Sequence, residues 1–218
     1  MTSNGGHQKN QQISAVDVGE VTAHRLEGLT DAVFAIAMTI LVLDIHVPEL
    51  LEHATSADLF SSLTPLWPRI ASFGVSFIIL GMFWVAHHTE FRYIKKIDHM
   101  LIWLNIFYLL FISLLPFTAA LLGRYPQNQT AVVIYGLHLM MMVIFQYLIW
   151  HHAVSRKGLV VEDLDPRVNK LADRVGYLGI GAYVVAIALS FWNVNFALAI
   201  YVVIPLPYIF GWIYRLEK

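Results

Sequence analysis

Long apolar runs dominate this chain: Ile70–Ala86, Met100–Gly123, Ala131–Trp150, Val175–Phe191 and Phe196–Tyr214. A helix needs about 20 predominantly apolar residues to cross the hydrocarbon core of a bilayer. Inside lipid the backbone must satisfy its own hydrogen bonds, which leaves only helices and closed barrels. Runs of this length are twice what a barrel strand needs, so they predict helices. Composition agrees: of 218 residues, 58% are hydrophobic and 13% charged, against roughly 45–50% and about 25% in soluble domains. The net charge of −1 argues against a nucleic-acid partner. The absence of cysteine excludes disulfide frameworks, iron–sulfur clusters and thiolate chemistry.

A sixth run, Arg25–Val47, has an uncharged stretch only from Ala32 to Leu43 but is rich in Ile, Leu, Val and Phe. It reads as the first helix. The chain then divides into a disordered cytoplasmic tail, residues 1–20, which lacks the apolar core of a signal peptide, and one six-helix domain, residues 21–218. The spans fall at about 25–47, 67–90, 99–123, 131–152, 172–191 and 194–214. The fold class is all-α integral membrane, multi-pass, without internal repeats. With the N-terminus cytoplasmic, twelve of the fourteen Lys and Arg residues lie inside and only Arg69 and Arg124 outside, a strong positive-inside bias. Both termini are then cytoplasmic. The first outer loop, Asp44 to Pro65, is acidic through Glu49, Glu52 and Asp58, and the charged segment Gly158–Arg174 reads as a short surface helix on the inside.

Asp31 is the costly residue. A charge at the centre of a membrane helix costs at least about 2.5 kcal/mol and persists where it has a partner and a role. Arg25, at the start of the same helix, is the candidate partner. At about 100° per residue, Ile36, Ile40 and Leu43 form one narrow stripe. Val47 extends it, Thr39 flanks it, and Asp31 lies on roughly the opposite side, toward the bundle. The stripe reads either as lipid contact and helix packing or as the wall of a pore, where aliphatic constrictions gate by dewetting.

Polar groups recur at the depth of Asp31 in two other spans. The second ends Phe83-Trp84-Val85-Ala86-His87-His88-Thr89-Glu90-Phe91, and the third carries Asn105 one turn inside its cytoplasmic end. A network of Arg25, Thr30, Asp31, Trp84, His87 or His88, and Asn105 would satisfy groups that are otherwise unpaired in lipid. Histidine there also brings a group that titrates between about pH 5 and 8.

Arg25-Leu-Glu-Gly-Leu29-Thr30-Asp31, followed by Ala-Val-Phe-Ala-Ile, resembles the Arg-x-x-x-Phe-Ser-Asp signature of the endolysosomal and prokaryotic transmembrane potassium-channel family, which lacks the usual filter loop. The similarity continues through Trp84…His87-His88-x-x-Phe91, Trp103-Leu-Asn105 and Leu-Leu-Pro116-Phe-Thr-Ala-Ala-Leu-Leu-Gly. Leu29 stands where the signature has Phe, and Thr30 where it has Ser. The resemblance implies a homotetramer in a lipid bilayer around a central pore lined by first helices. Ile36 would form the constriction, Ile40 and Leu43 further layers, and Thr39 a hydroxyl, with Val47 at the outer end of the same stripe. The permeant ion would be potassium, with no cofactor, no metal and no enzymatic activity. The membrane would be a prokaryotic plasma membrane.

Val175-Gly176-Tyr177-Leu178-Gly179 imitates a potassium filter, but it opens a membrane-length run, whereas a filter needs a re-entrant loop. Gly176, Gly179 and Gly181 read instead as sites of close helix packing. His87-His88 and His151-His152 are adjacent pairs whose side chains point about 100° apart on a helix, ill suited to one ion. His151-His152 reads as solvated. Two alternatives to a channel stand: a secondary transporter or proton-leak pathway, and a His-rich membrane oxidoreductase.

Overall fold

The computed structural model describes residues 22–50 and 53–210. The tail 1–20, Glu52, and the end of the last span with Tyr214, Arg215 and Lys218 lie outside the described residues. The rest is helical: α1 Ala23–Ile40, α2 Ser56–Leu63, α3 Trp67–Phe91, α4 His99–Arg124, α5 Gln129–Ser155, α6 Pro166–Ser190, α7 Val194–Val203 and α8 Leu206–Ile209. Five stretches, those containing α1, α3, α4, α5 and α6, are long and apolar enough to cross a membrane, and Val194–Ile209 is a shorter apolar stretch. It is interrupted where Pro205, lacking an N–H, cannot continue α7.

The starts follow local chemistry. Thr22, Asp98, Asn128, Asp165 and Asn193 each cap a helix by accepting a backbone N–H within its first turn. Asp165 with Pro166 makes Pro166–Arg174 the opening turns of α6, not a separate surface helix as the charge density suggested. Thr55 and Asp58 cap each other's backbone at the start of α2, a capping box that breaks the expected outer loop with a short helix.

Helix α4 is the hub. It packs on α1, α3 and α5; α5 packs on α6, and α6 on α7. Its core positions Leu101, Leu104, Tyr108, Ile112, Leu115, Ala119 and Leu122 recur every three or four residues. Pro116 sits inside α4, and its missing N–H removes the bond that would close on the Ile112 carbonyl. Just before it, the Phe111 carbonyl accepts His138 Nε2 from α5 at 2.8 Å. Ser72 on α3 donates to the Ala119 carbonyl at 2.7 Å. Glycines set two close approaches. A Cβ at Gly136 would overlap the Tyr201 hydroxyl, and one at Gly176 would come within 2.7 Å of the Tyr147 ring. Gly179 also faces Val143, whereas Gly181 has nothing beside it, so close packing explains the first two of the three glycines in α6. The filter-like segment is continuous helix.

Outside the helices, the loop after α3 and the loop after α5 are joined. Lys95 N donates to the Leu159 carbonyl at 2.7 Å and Val161 N to the Tyr93 carbonyl at 2.9 Å, forming an isolated antiparallel bridge between Ile94 and Val160.

Candidate functional site

Helix α1 is buried on one side only. Leu26, Thr30, Phe34, Ala37 and Leu41 face α3 and α4. The opposite face is bare: Ile36 is 57% exposed and Leu43 67%, against 1% for Phe34 and 3% for Ala37. Ile40 is exposed beside them. The α-helix ends at Ile40 and tightens into a 3-10 turn over Leu41–Asp44. Residues 45–50 are not helical, so Val47, although exposed, is not a further layer of a helical stripe. Thr39 donates its hydroxyl proton to the Ile36 carbonyl at 2.8 Å. That leaves its oxygen lone pairs open on the exposed side.

The buried side is pinned by a directional chain. His87 Nε2 on α3 meets Asn105 Oδ1 on α4 at 2.9 Å, and because an amide oxygen only accepts, the imidazole donates. Asn105 Nδ2 donates to Thr30 Oγ1 at 3.0 Å, and Thr30 donates to the Leu26 carbonyl at 2.9 Å. All three side chains are buried. The His87 ring stacks between Phe91 and Tyr108, with centroids 4.1 and 5.7 Å away. A second layer runs along the edge between α1 and α3. Trp84 Nε1 donates to Asp31 Oδ1 at 2.8 Å, Trp84 stacks on His88, and His88 Nδ1 pairs with Glu27 Oε1 at 3.0 Å.

The structure thus brings together Thr30, Asn105 and His87 in one chain of contacts and Asp31, Trp84 and His88 in another. Arg25 joins neither. Six residues apart, Arg25 and Asp31 point about 120° away from each other, and the ion pairs among the described residues are His88–Glu27 and His152–Asp98. The expected pairing of Arg25 with Asp31 within one chain is therefore corrected. Arg25 lies 11 and 18 residues before Ile36 and Leu43, close to whole turns, and so stands at the charged end of the bare face. Asp31 is itself exposed at the edge of the bundle and not inside it. Glu27 was missed, though its signal was present. Glu27 and Asp31 are spaced i, i+4, as are Trp84 and His88, and two antiparallel helices match such pairs in reverse order. His152 is also not simply solvated: its Nε2 lies 3.0 and 2.8 Å from the two carboxylate oxygens of Asp98.

The profile of the family described as "Endosomal/lysosomal potassium channel TMEM175" matches residues 25–116, the stretch that contains both polar layers. A potassium channel of Chamaesiphon minutus is 37% identical over 187 residues, covering 81% of this chain and 91% of that protein. The crystal structure of a lysosomal potassium-selective channel TMEM175 homologue from the same organism superposes with a TM-score of 0.74 at 32% identity, covering 87% of this chain and 97% of that one. The human endosomal/lysosomal proton channel TMEM175 is 28% identical over 167 residues, which are 72% of this chain and 32% of the human protein.

Proposed function

Because this chain belongs to the TMEM175 potassium-channel family, we propose that it conducts potassium through a pore lined by the bare face of α1, with four copies arranged around the axis. The observation that carries the reading is the one-sided burial of α1. An aliphatic face can also rest on lipid, but on a helix pinned by two polar layers other copies of the same face would cover it. Closed cyclic symmetry would bring Ile36, Ile40 and Leu43 together as rings. Rings of large aliphatic side chains exclude water when narrow and admit hydrated ions when wider. The Thr39 oxygen lone pairs would add acceptors beside the Ile36 ring, the only oxygen-bearing side chain among these layers. Arg25 would stand at the cytoplasmic mouth of the same face. The location that suits this reading is a prokaryotic plasma membrane with both termini inside.

Proton permeation is a second reading, suggested by the similarity to the human endosomal/lysosomal proton channel. Flux from liposomes containing the full chain, measured for potassium, sodium and protons, separates the two. Potassium flux that rises several-fold or loses its ion preference in Ile36→Asn supports the pore assignment. Permeation unaltered by that substitution, in folded protein, removes Ile36 from the pathway.

A further inference from the structure

Glu90 takes no part in either layer around α1. It is the penultimate residue of α3, and its Oε2 accepts one hydrogen bond, from Gln146 Nε2 on α5 at 3.0 Å. The Gln146 carbonyl accepts the Tyr108 hydroxyl at 2.7 Å, so the amide is held with its NH2 toward Glu90. This donor chain ends on a carboxyl oxygen. Among the described residues no cation forms an ion pair with it.

Glu90 lies on the wall of a cavity of about 360 Å³ lined by α3, α5, α6, α7 and α8. Most of the lining is apolar, including Met82, Val143 and Leu178. Arg174, nine residues into α6, is on the same wall and forms no ion pair among the described residues. A carboxylate alone would favour an amphipathic amine, and a guanidinium alone an anionic lipid. Both on one otherwise apolar wall favour a headgroup that carries both charges. Glu90 stands near the end of α3, at the level where headgroups meet protein, and Arg174, about two turns into α6, carries a side chain long enough to reach toward that level. The volume admits roughly a dozen methylene-sized groups, taking about 30 Å³ each as for water.

We propose that this cavity holds one phosphatidylethanolamine per subunit, with its ammonium on Glu90, its phosphate on Arg174 and part of an acyl chain along Met82, Val143 and Leu178. The ammonium supplies N–H donors to the carboxylate, which a choline headgroup cannot do. A charge-assisted hydrogen bond of this kind discriminates by roughly tenfold or more. The inference does not depend on conduction, and its test reads binding alone.

The full chain, delipidated in detergent, is titrated separately with dioleoyl phosphatidylethanolamine, phosphatidylcholine and phosphatidylglycerol, and bound lipid is counted by native mass spectrometry. The expected result is one phosphatidylethanolamine per subunit, favoured roughly tenfold over phosphatidylcholine. Glu90→Gln should bring that preference close to one, and Arg174→Gln should weaken phosphatidylethanolamine and phosphatidylcholine alike. Leu178→Trp, a change at an exposed cavity-lining position, should remove the bound lipid and keeps the test open if Glu90→Gln does not fold. Equal binding of phosphatidylethanolamine and phosphatidylcholine by the wild type, preference for phosphatidylglycerol, or undiminished binding by Leu178→Trp would each overturn the proposal.

Discussion

Asn105 on α4 donates to the hydroxyl of Thr30 on α1 across 3.0 Å, and the same amide accepts from His87 on α3, so one side chain fixes the depth of α1 against two neighbouring helices. Asn105→Leu should therefore destabilise the fold by about 2–3 kcal/mol, since it strands the buried His87 donor. Thr30→Val should cost less, because only the Asn105 amide hydrogen loses its acceptor. Thermal unfolding in detergent orders the three proteins. The reverse order would mean that Asn105 is not the junction.

Asp31 gives a sharper comparison. It accepts from Trp84 through one oxygen, and an amide oxygen can replace it. Asp31→Asn should stay close to the wild type in stability, while Asp31→Leu should lose about 1–3 kcal/mol by leaving the indole N–H without its acceptor. If the two variants are equally impaired, the charge of Asp31 matters and not its hydrogen bond.

The native chain has no cysteine, which makes single-cysteine crosslinking clean. Under the proposed assembly, Leu43→Cys on the bare face should form disulfide-linked dimers on oxidation, whereas Leu41→Cys, buried against the subunit's own helices, should stay monomeric on a denaturing gel. Crosslinking from Leu41 but not Leu43 would place the subunit contact on another face.

Thr39 separates ion preference from shape. Thr39→Val keeps the volume and β-branching but removes an oxygen that, among the described residues, bonds the carbonyl of its own helix alone. Assembly and stability should change by less than about 0.5 kcal/mol, while the potassium-to-sodium flux ratio falls. An unchanged ratio would leave selectivity to the hydration of the aliphatic rings alone.

At the loop between α3 and α4, burial raises the Asp98 pKa, but the backbone N–H of Leu101 and the His152 imidazole outweigh it, and the carboxyl is held below its ordinary value. The sign follows: the charged form stabilises the fold fully above the ordinary aspartate value of 3.8 and is lost as pH falls through the lowered one. Asp98→Ala should lower stability by about 1 kcal/mol at pH 7 through loss of the α4 cap. The difference from wild type should shrink in melts taken below pH 4.

The polar layers were legible in the sequence because Asp31, His87, His88 and Asn105 interrupt runs that lipid would otherwise keep apolar. Their common depth follows from simple counting along antiparallel spans. The bare stripe was legible from periodicity up to Leu43, and failed at Val47 because nothing in Leu-Val-Leu-Asp marks the tightening into a 3-10 turn. The Arg25–Asp31 pairing failed for a different reason: residues six apart are near in sequence but point about 120° away from each other on a helix. Helix α2 was announced by Thr55 and Asp58, but those residues read equally well as an acidic loop. Glu90 and Gln146 could not be matched at all, since 56 residues separate them and only tertiary packing makes them neighbours.

The bridge between Ile94 and Val160 has a mechanical consequence. It fastens the α3–α4 corner to the α5–α6 corner by main-chain bonds that substitutions other than proline leave in place. Four long helices are thereby joined at one end, while among the described residues α1 rests on α3 and α4 without such a main-chain link. Under the proposed assembly, a change in the width of the passage along the bare face would then come from α1 pivoting on its polar layers or from whole subunits leaning together. The helices behind it cannot splay apart at that end.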